Sequence, residues 1–156
     1  KRFVEFGIQN HCNSPEQLKY VLSKGAEVQF MQDLRHGKAV AAFQRALKKL
    51  SAASQFIVVS LDLDALAECH APGVSAPQAE GFSATEVFQM LELAAKNPKV
   101  VSLGIFELNP EHDVWERTAR LAAQAAYHFL ESKAAAAPKP RAPWVRVPGA
   151  RRRPSR

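Results

Sequence analysis

The sequence has little that would tie it to a membrane, a disulfide framework or a zinc site. No apolar run approaches the ~20 residues a spanning helix needs, and no basic-then-apolar leader opens the chain, so a cytoplasmic protein without a membrane partner is expected. Its two cysteines, Cys12 and Cys69, lie far apart in no C-x-x-C or Cys/His spacing. That excludes a stapled fold and leaves no cysteine-based zinc signature. Acids are missing from one end only: from Lys133 to Arg156 there are eight basic residues and no Asp or Glu, so the net charge of +6 resolves into a body, residues 1–132, at −2 and a basic appendage. An initiating methionine is missing too. The chain opens K-R-F-V in the middle of a strand pattern, as expected of a piece of a longer protein.

What is present suits one globular domain. The 156 residues are 47% hydrophobic and 23% charged, enough to bury a substantial core. Residues 133–156, proline-punctuated and arginine-rich, read as a disordered tail. A polybasic end suits an anionic surface, RNA included, but the composition is equally that of a solvated tail, and no nucleic-acid partner is expected.

Residues 1–132 alternate strand and helix. Strands are expected at Phe3–Gln9, Val28–Met31, Phe56–Asp62 and Val100–Leu108, where β-branched and aromatic residues concentrate. A helix should open at Ser14-Pro15-Glu16-Gln17, with a capping serine, proline at its first position and glutamine three residues on, and close at Gly25. Lys38–Leu50 carries an apolar stripe of Val40, Phe43, Leu47 and Leu50. Ser83-Ala84-Thr85-Glu86 is a second capping box, starting a helix that Pro98 stops, and Asp113–Ser132 is the last helix. This alternation predicts an α/β fold with a parallel sheet covered by helices on both sides, in which ligands bind beyond the carboxyl ends of the strands.

Chemistry-bearing residues collect at those ends. S-L-D-L-D-A-L, Ser60–Leu66, puts Asp62 and Asp64 two residues apart, expected side by side on one face at the end of the third strand. Such carboxylates repel unless a cation lies between them, one holds a proton, or both reach solvent. Glu107 closes the fourth strand. Three carboxylates suit hard divalent ions, which activate water for attack on an electrophilic carbon; a D-x-D also serves simply to cap a strand and a loop.

The text around these residues is more specific. S-L-D-L-D-A-L-A-E-C-H-A-P-G-V-S-A-P-Q-A-E-G-F-S, followed by G-I-F-E-L-N-P-E-H-D-V-W-E-R-T-A-R-L-A-A, closely resembles the C-terminal half of the ureohydrolase family of arginases, agmatinases and formimidoylglutamases. The resemblance covers about residues 1–132. It implies the C-terminal part of a three-layer αβα, arginase-like fold with a parallel sheet, and a two-manganese hydrolase that cleaves a C–N bond of a guanidinium or formimidoyl group. It implies metal-ligand roles for Asp62 and Asp64 and a substrate-orienting role for Glu107, whose two oxygens suit the paired N–H donors of an amidinium. Asn109-Pro110 would hold the strand end rigid, and Asp113 would cap the last helix. The family motif gives His11, His70 and His112 no metal role.

Within that family, Ala71–Pro77, A-P-G-V-S-A-P, is similar to the formimidoylglutamase version: arginases place a hydroxyl where this chain has Ala76. The expected reaction is hydrolysis of N-formimidoyl-glutamate to glutamate and formamide in histidine breakdown, with agmatine or arginine hydrolysis as the first alternative and a non-catalytic remnant that uses its basic tail on nucleic acid as the second. Asn10 and Asn13, in N-H-C-N-S, fall where family members hold the amino-acid end of the substrate, though asparagines also favour such turns locally. The family's upstream G-G-x-H-S and D-A-H-x-D segments appear nowhere in the sequence. Without them, two manganese coordination spheres are incomplete and the chain alone is expected to be inactive. The full-length protein is expected to be a homo-oligomer acting on a small-molecule substrate.

Overall fold

Four strands alternate with helices along residues 2–137, the part of the chain that the computed structural model describes. Strand β1 (Val4–Ile8) leads to helix α1 (Pro15–Ser23), then β2 (Glu27–Phe30), the short α2 (Met31–Leu34), α3 (Ala39–Ala53), β3 (Ile57–Asp62), α4 (Ala84–Lys96), β4 (Val100–Phe106) and α5 (Arg117–Ala136). Both capping boxes form. Ser14 accepts from the Gln17 amide while the Gln17 side chain takes the Ser14 amide, and Ser83 and Glu86 do the same at α4.

All strand pairing is parallel, as the alternation requires, but it is divided: β1 pairs with β2 and β3 with β4, in two separate two-stranded sheets. Helices also leave part of the sheet bare. On β3, Ile57, Val59 and Leu61 face the core, whereas Val58 (69% exposed), Ser60 and Asp62 face outward. The core lies between the strands and the α3, α4 and α5 stripes, with Leu63, Leu66, Val74, Val87 and Val100 fully buried.

The chain departs from its sequence pattern at several element ends: α3 runs on to Ala53, and β4 stops at Phe106, one residue before Glu107. Met31 begins α2 rather than ending β2. The last helix starts four residues late, because Trp115 and Glu116 adopt left-handed backbone (φ +56° and +57°) and break the turn that opens at Val114. It also runs to Ala136, past the boundary expected at residue 132; of the expected tail, residues 138–156 lie outside the described residues. No described helix is long and apolar enough to cross a membrane.

Candidate functional site

Asp62 is the last residue of β3, and there the strand alternation stops. Leu63–Ala65 form a single 3-10 turn. Leu63 and Leu66 are both fully buried, and residues three apart eclipse one another in such a turn, so burying this pair curls the chain at the strand end. The expectation that Asp62 and Asp64 share a strand face is therefore corrected: Asp64 lies on the turn, half-buried, while Asp62 is exposed and accepts from the Ser60 hydroxyl at 3.2 Å. The charges of Asp62 and of Glu107, the residue after β4, both act on Asp64. Burial first, then the Glu107 charge, then the Asp62 charge raise the Asp64 pKa above the usual aspartate value. Negative charge is thus crowded on Asp64.

Glu107 has φ +69°, a left-handed backbone that costs a non-glycine residue about 1–2 kcal/mol. Local hydrogen bonds fix the turn around it. Leu108 bridges Val74, the Asn109 amide donates to the Gly73 carbonyl at 2.8 Å, and the Asn109 side chain donates to the Ser75 hydroxyl at 3.1 Å. Asn109 therefore ties the end of β4 to the A-P-G segment.

That segment is held from behind by α5. The fully buried Thr118 hydroxyl accepts from the Gly73 amide at 2.7 Å. Asp113 takes the Thr118 and Ala119 amides, one per carboxylate oxygen, both at 2.8 Å. Burial pushes the Asp113 pKa up, but the amide bonds, the Thr118 hydroxyl and the neighbouring Arg117 outweigh it and hold the carboxyl below its usual range. Asp113 thus caps α5, as expected. Thr118 was not singled out from the sequence; it lies in the T-A-R-L-A-A stretch, where helix position alone does not mark a buried hydroxyl. Thr118→Val keeps the shape and leaves the buried Gly73 amide without an acceptor. It should destabilise the chain by about 1–3 kcal/mol in a denaturant titration, and an unchanged midpoint would show that the strap carries no load.

Asp62, Asp64 and Asn13 line one end of a cavity of about 610 Å³, together with Gln9, Cys12, Ala76 and Gln78. Asn13 donates to the Gln9 carbonyl at 3.3 Å. Asn10 is outside this lining and donates to Gln32 of α2 at 2.8 Å, whereas Asn13 shares the lining with the two aspartates. His11 pairs with Gln78 at 3.0 Å, linking the Asn10–Ser14 loop to the segment that follows A-P-G. Gln78 and Cys12 are among the lining residues that sequence reasoning did not select.

The donor chemistry suits a hard divalent ion in kind but not in number. The carboxylates supply oxygen ligands and negative charge. Among the described residues, however, no group of three or more His, Cys, Asp or Glu side chains is arranged to hold an ion. The set fits part of a metal shell.

Comparison with known proteins follows the same outline. The arginase-family sequence profile matches residues 1–131. Formimidoylglutamase from Halalkalibacterium halodurans is 31% identical over 133 residues, which are 85% of this chain and 42% of that protein. Formimidoylglutamase from Legionella pneumophila is 47% identical over 76 residues, 49% of this chain and 24% of that protein. A crystal structure of Trypanosoma cruzi formiminoglutamase with Mn2+ has a TM-score of 0.76 at 34% identity, covering 83% of this chain and 42% of that one. The chain therefore spans no more than about two fifths of the length of these relatives.

Proposed function

Because this chain belongs to the arginase family, we propose that it is part of a formimidoylglutamase-type hydrolase, which converts N-formimidoyl-glutamate and water to glutamate and formamide. The observation that carries this reading is the crowding of Asp62, Asp64 and Glu107 at the ends of two parallel strands, where a cationic metal site and a cationic amidine would both relieve the charge. Asp62 and Asp64 would hold part of the metal shell, with manganese as the ion, and the remaining donors would come from outside these residues. When bound, the metal supplies a water that loses its proton near neutral pH.

The chain's own side chains then orient the substrate. Glu107 accepts the two N–H donors of the formimidoyl group, each oxygen taking one, which aims the electrophilic carbon at the carboxylate cluster. Its left-handed backbone, fixed by the Asn109 hydrogen bonds, keeps the carboxylate in that orientation without reorganisation. Asn13, in the cavity lined by Asp62 and Asp64, donates to the glutamate end of the substrate; Glu107 lies outside that lining. Asn10 joins Asn13 only if its bond to Gln32 opens. Ala76, also in the lining, offers no hydroxyl to a guanidinium, which favours the formimidoyl substrate over arginine.

Assay of the intact gene product with manganese separates the substrates. Formamide and glutamate should appear from N-formimidoyl-glutamate, with kcat/KM at least about 100-fold above that for arginine or agmatine, since polar groups matched to one substrate are left unpaired by the other. Urea release without formamide release would overturn the substrate assignment.

A further inference from the structure

Three side-chain hydrogen bonds connect the Asn10–Ser14 loop and its approach to distant parts of the chain. Asn10 bonds Gln32 of α2, and Gln9, the residue before the loop, donates through its side chain to the Glu80 carbonyl at 2.6 Å. The third joins His11 to Gln78, a cavity-lining residue, at 3.0 Å.

Gln78 is where three segments meet. Its Nε2 donates to the Ala76 carbonyl at 3.2 Å, its main-chain carbonyl accepts from the Glu68 amide at 2.8 Å, and its Oε1 faces His11. Because the amide nitrogen is committed to a carbonyl, the oxygen is the atom left for His11, so the ring Nε2 donates. The Glu68 bond belongs to the ladder by which residues 78–82 cross the turn carrying Asp64, where Ala67 bridges Gln78 and Phe82 donates to Ala65 at 3.0 Å. One side chain thus links the loop of Asn13, the lining at Ala76 and the segment laid against Asp64.

We propose that Gln78 and His11 form a positioning pair, which holds the Asn13 loop at the distance from the carboxylates that the amino-acid end of the substrate requires. The inference rests on the proposed reaction, in which Asn13 holds the glutamate end. His11 is exposed, so its bond contributes little through packing; what it fixes is the placement of a loop donor. Asn13 has one N–H engaged by the Gln9 carbonyl at 3.3 Å, and the other can meet a substrate carboxylate while the loop is held at the cavity. The reacting end is secured by different contacts. The Asp64 turn keeps the main-chain bonds of Phe82 and Ala67, and Glu107 keeps those of Asn109, none of which uses the Gln78 or His11 side chain. Loosening the pair therefore weakens ground state and transition state alike, which raises KM and spares kcat.

Two substitutions in the intact, manganese-loaded gene product test the pair. Gln78→Met keeps the side-chain length and removes both polar atoms; His11→Phe keeps a ring and removes the donor. Each should raise KM by about 5-fold with kcat within about 2-fold of the parent, the size expected for one hydrogen bond. Manganese content should not change. The double variant should be no worse than Gln78→Met alone, and Gln78→Met should add nothing to KM in an Asn13→Ala background, because both act through the same side chain. Three results would overturn the proposal: a parental KM in either single variant, a fall in kcat or manganese content as large as the rise in KM, or an undiminished effect in the Asn13→Ala background. The substrate assignment fails separately. If the parent turns over arginine in place of N-formimidoyl-glutamate, the same comparison is made with arginine, which also presents an amino-acid end. Turnover of agmatine alone, which has no such end, would overturn the pair as well as the assignment.

Discussion

Asp64→Ala in the intact, manganese-loaded protein should lower turnover by on the order of 1,000-fold or more, with loss of bound metal. The half-buried position of Asp64 is the reason to expect a larger effect there than at Asp62. A ligand at the closed end of a site has no water-side substitute, whereas the exposed Asp62 carboxylate is replaced more readily by solvent. Asp64→Asn should be nearly as damaging, because an amide keeps the shape and removes the charge that attracts the ion. Metal analysis beside steady-state kinetics decides it: full manganese content with unchanged kcat in either variant would remove Asp64 from the site.

Without metal, the same substitution should act with the opposite sign. The Asp64 pKa is raised in the folded chain, so its contribution to stability is complete below the ordinary aspartate pKa, about 4, and is lost as pH rises through the folded value. At neutral pH the ionised carboxylate, held against Glu107 and Asp62, works against folding. Asp64→Asn should therefore make the metal-free chain more stable at pH 7 than the parent and flatten its decline above pH 4. Urea titrations from pH 4 to 8 read this directly, and parallel curves for the two proteins would contradict the charge crowding.

The second large effect is structural. Gly81 lies where the loop before α4 crosses the turn that carries Asp64. A methyl group there would meet main-chain atoms of Ala65, Leu66 and Ala67 rather than a flexible side chain. This crossing is hydrogen-bonded on both sides of Gly81: Phe82 donates to Ala65 at 3.0 Å, Ala67 to Phe82 at 3.1 Å, and Glu68 to Gln78 at 2.8 Å. Backbone cannot rotate aside as a rotamer can, so Gly81→Ala must separate the two segments. A cost of about 2–3 kcal/mol is expected, seen as a fall in Tm of about 5–10 °C. Because the displaced segment carries Asp64, metal affinity of the intact protein should fall as well. A variant that melts at the parent temperature would show that the crossing is loose.

Local signals in the sequence survive folding better than signals that depend on distant partners. Both capping boxes and the cap at Asp113 follow from a few adjacent residues and are found in place. The relation between Asp62 and Asp64 was legible only as proximity. The strand period that would have put them on one face ends at Leu63, whose complete burial is set by packing against elements far along the chain. The division into two sheets was equally hidden, since β1 and β3 are each consistent with a central strand and nothing within either tells which neighbour it has. Thr118 and Gln78 escaped for a similar reason: a threonine in a helix and a glutamine in a loop acquire roles only when Gly73 and His11 are brought to them.

Glu107 occupies a position whose main chain is shaped for glycine. A library selected only for heat tolerance should drift there to glycine or asparagine, whose left-handed conformations cost less. The same library selected for product formation should keep the acid. Position 107 would then report which pressure a lineage is under, because the residue that best suits the backbone is one that cannot hold a cation.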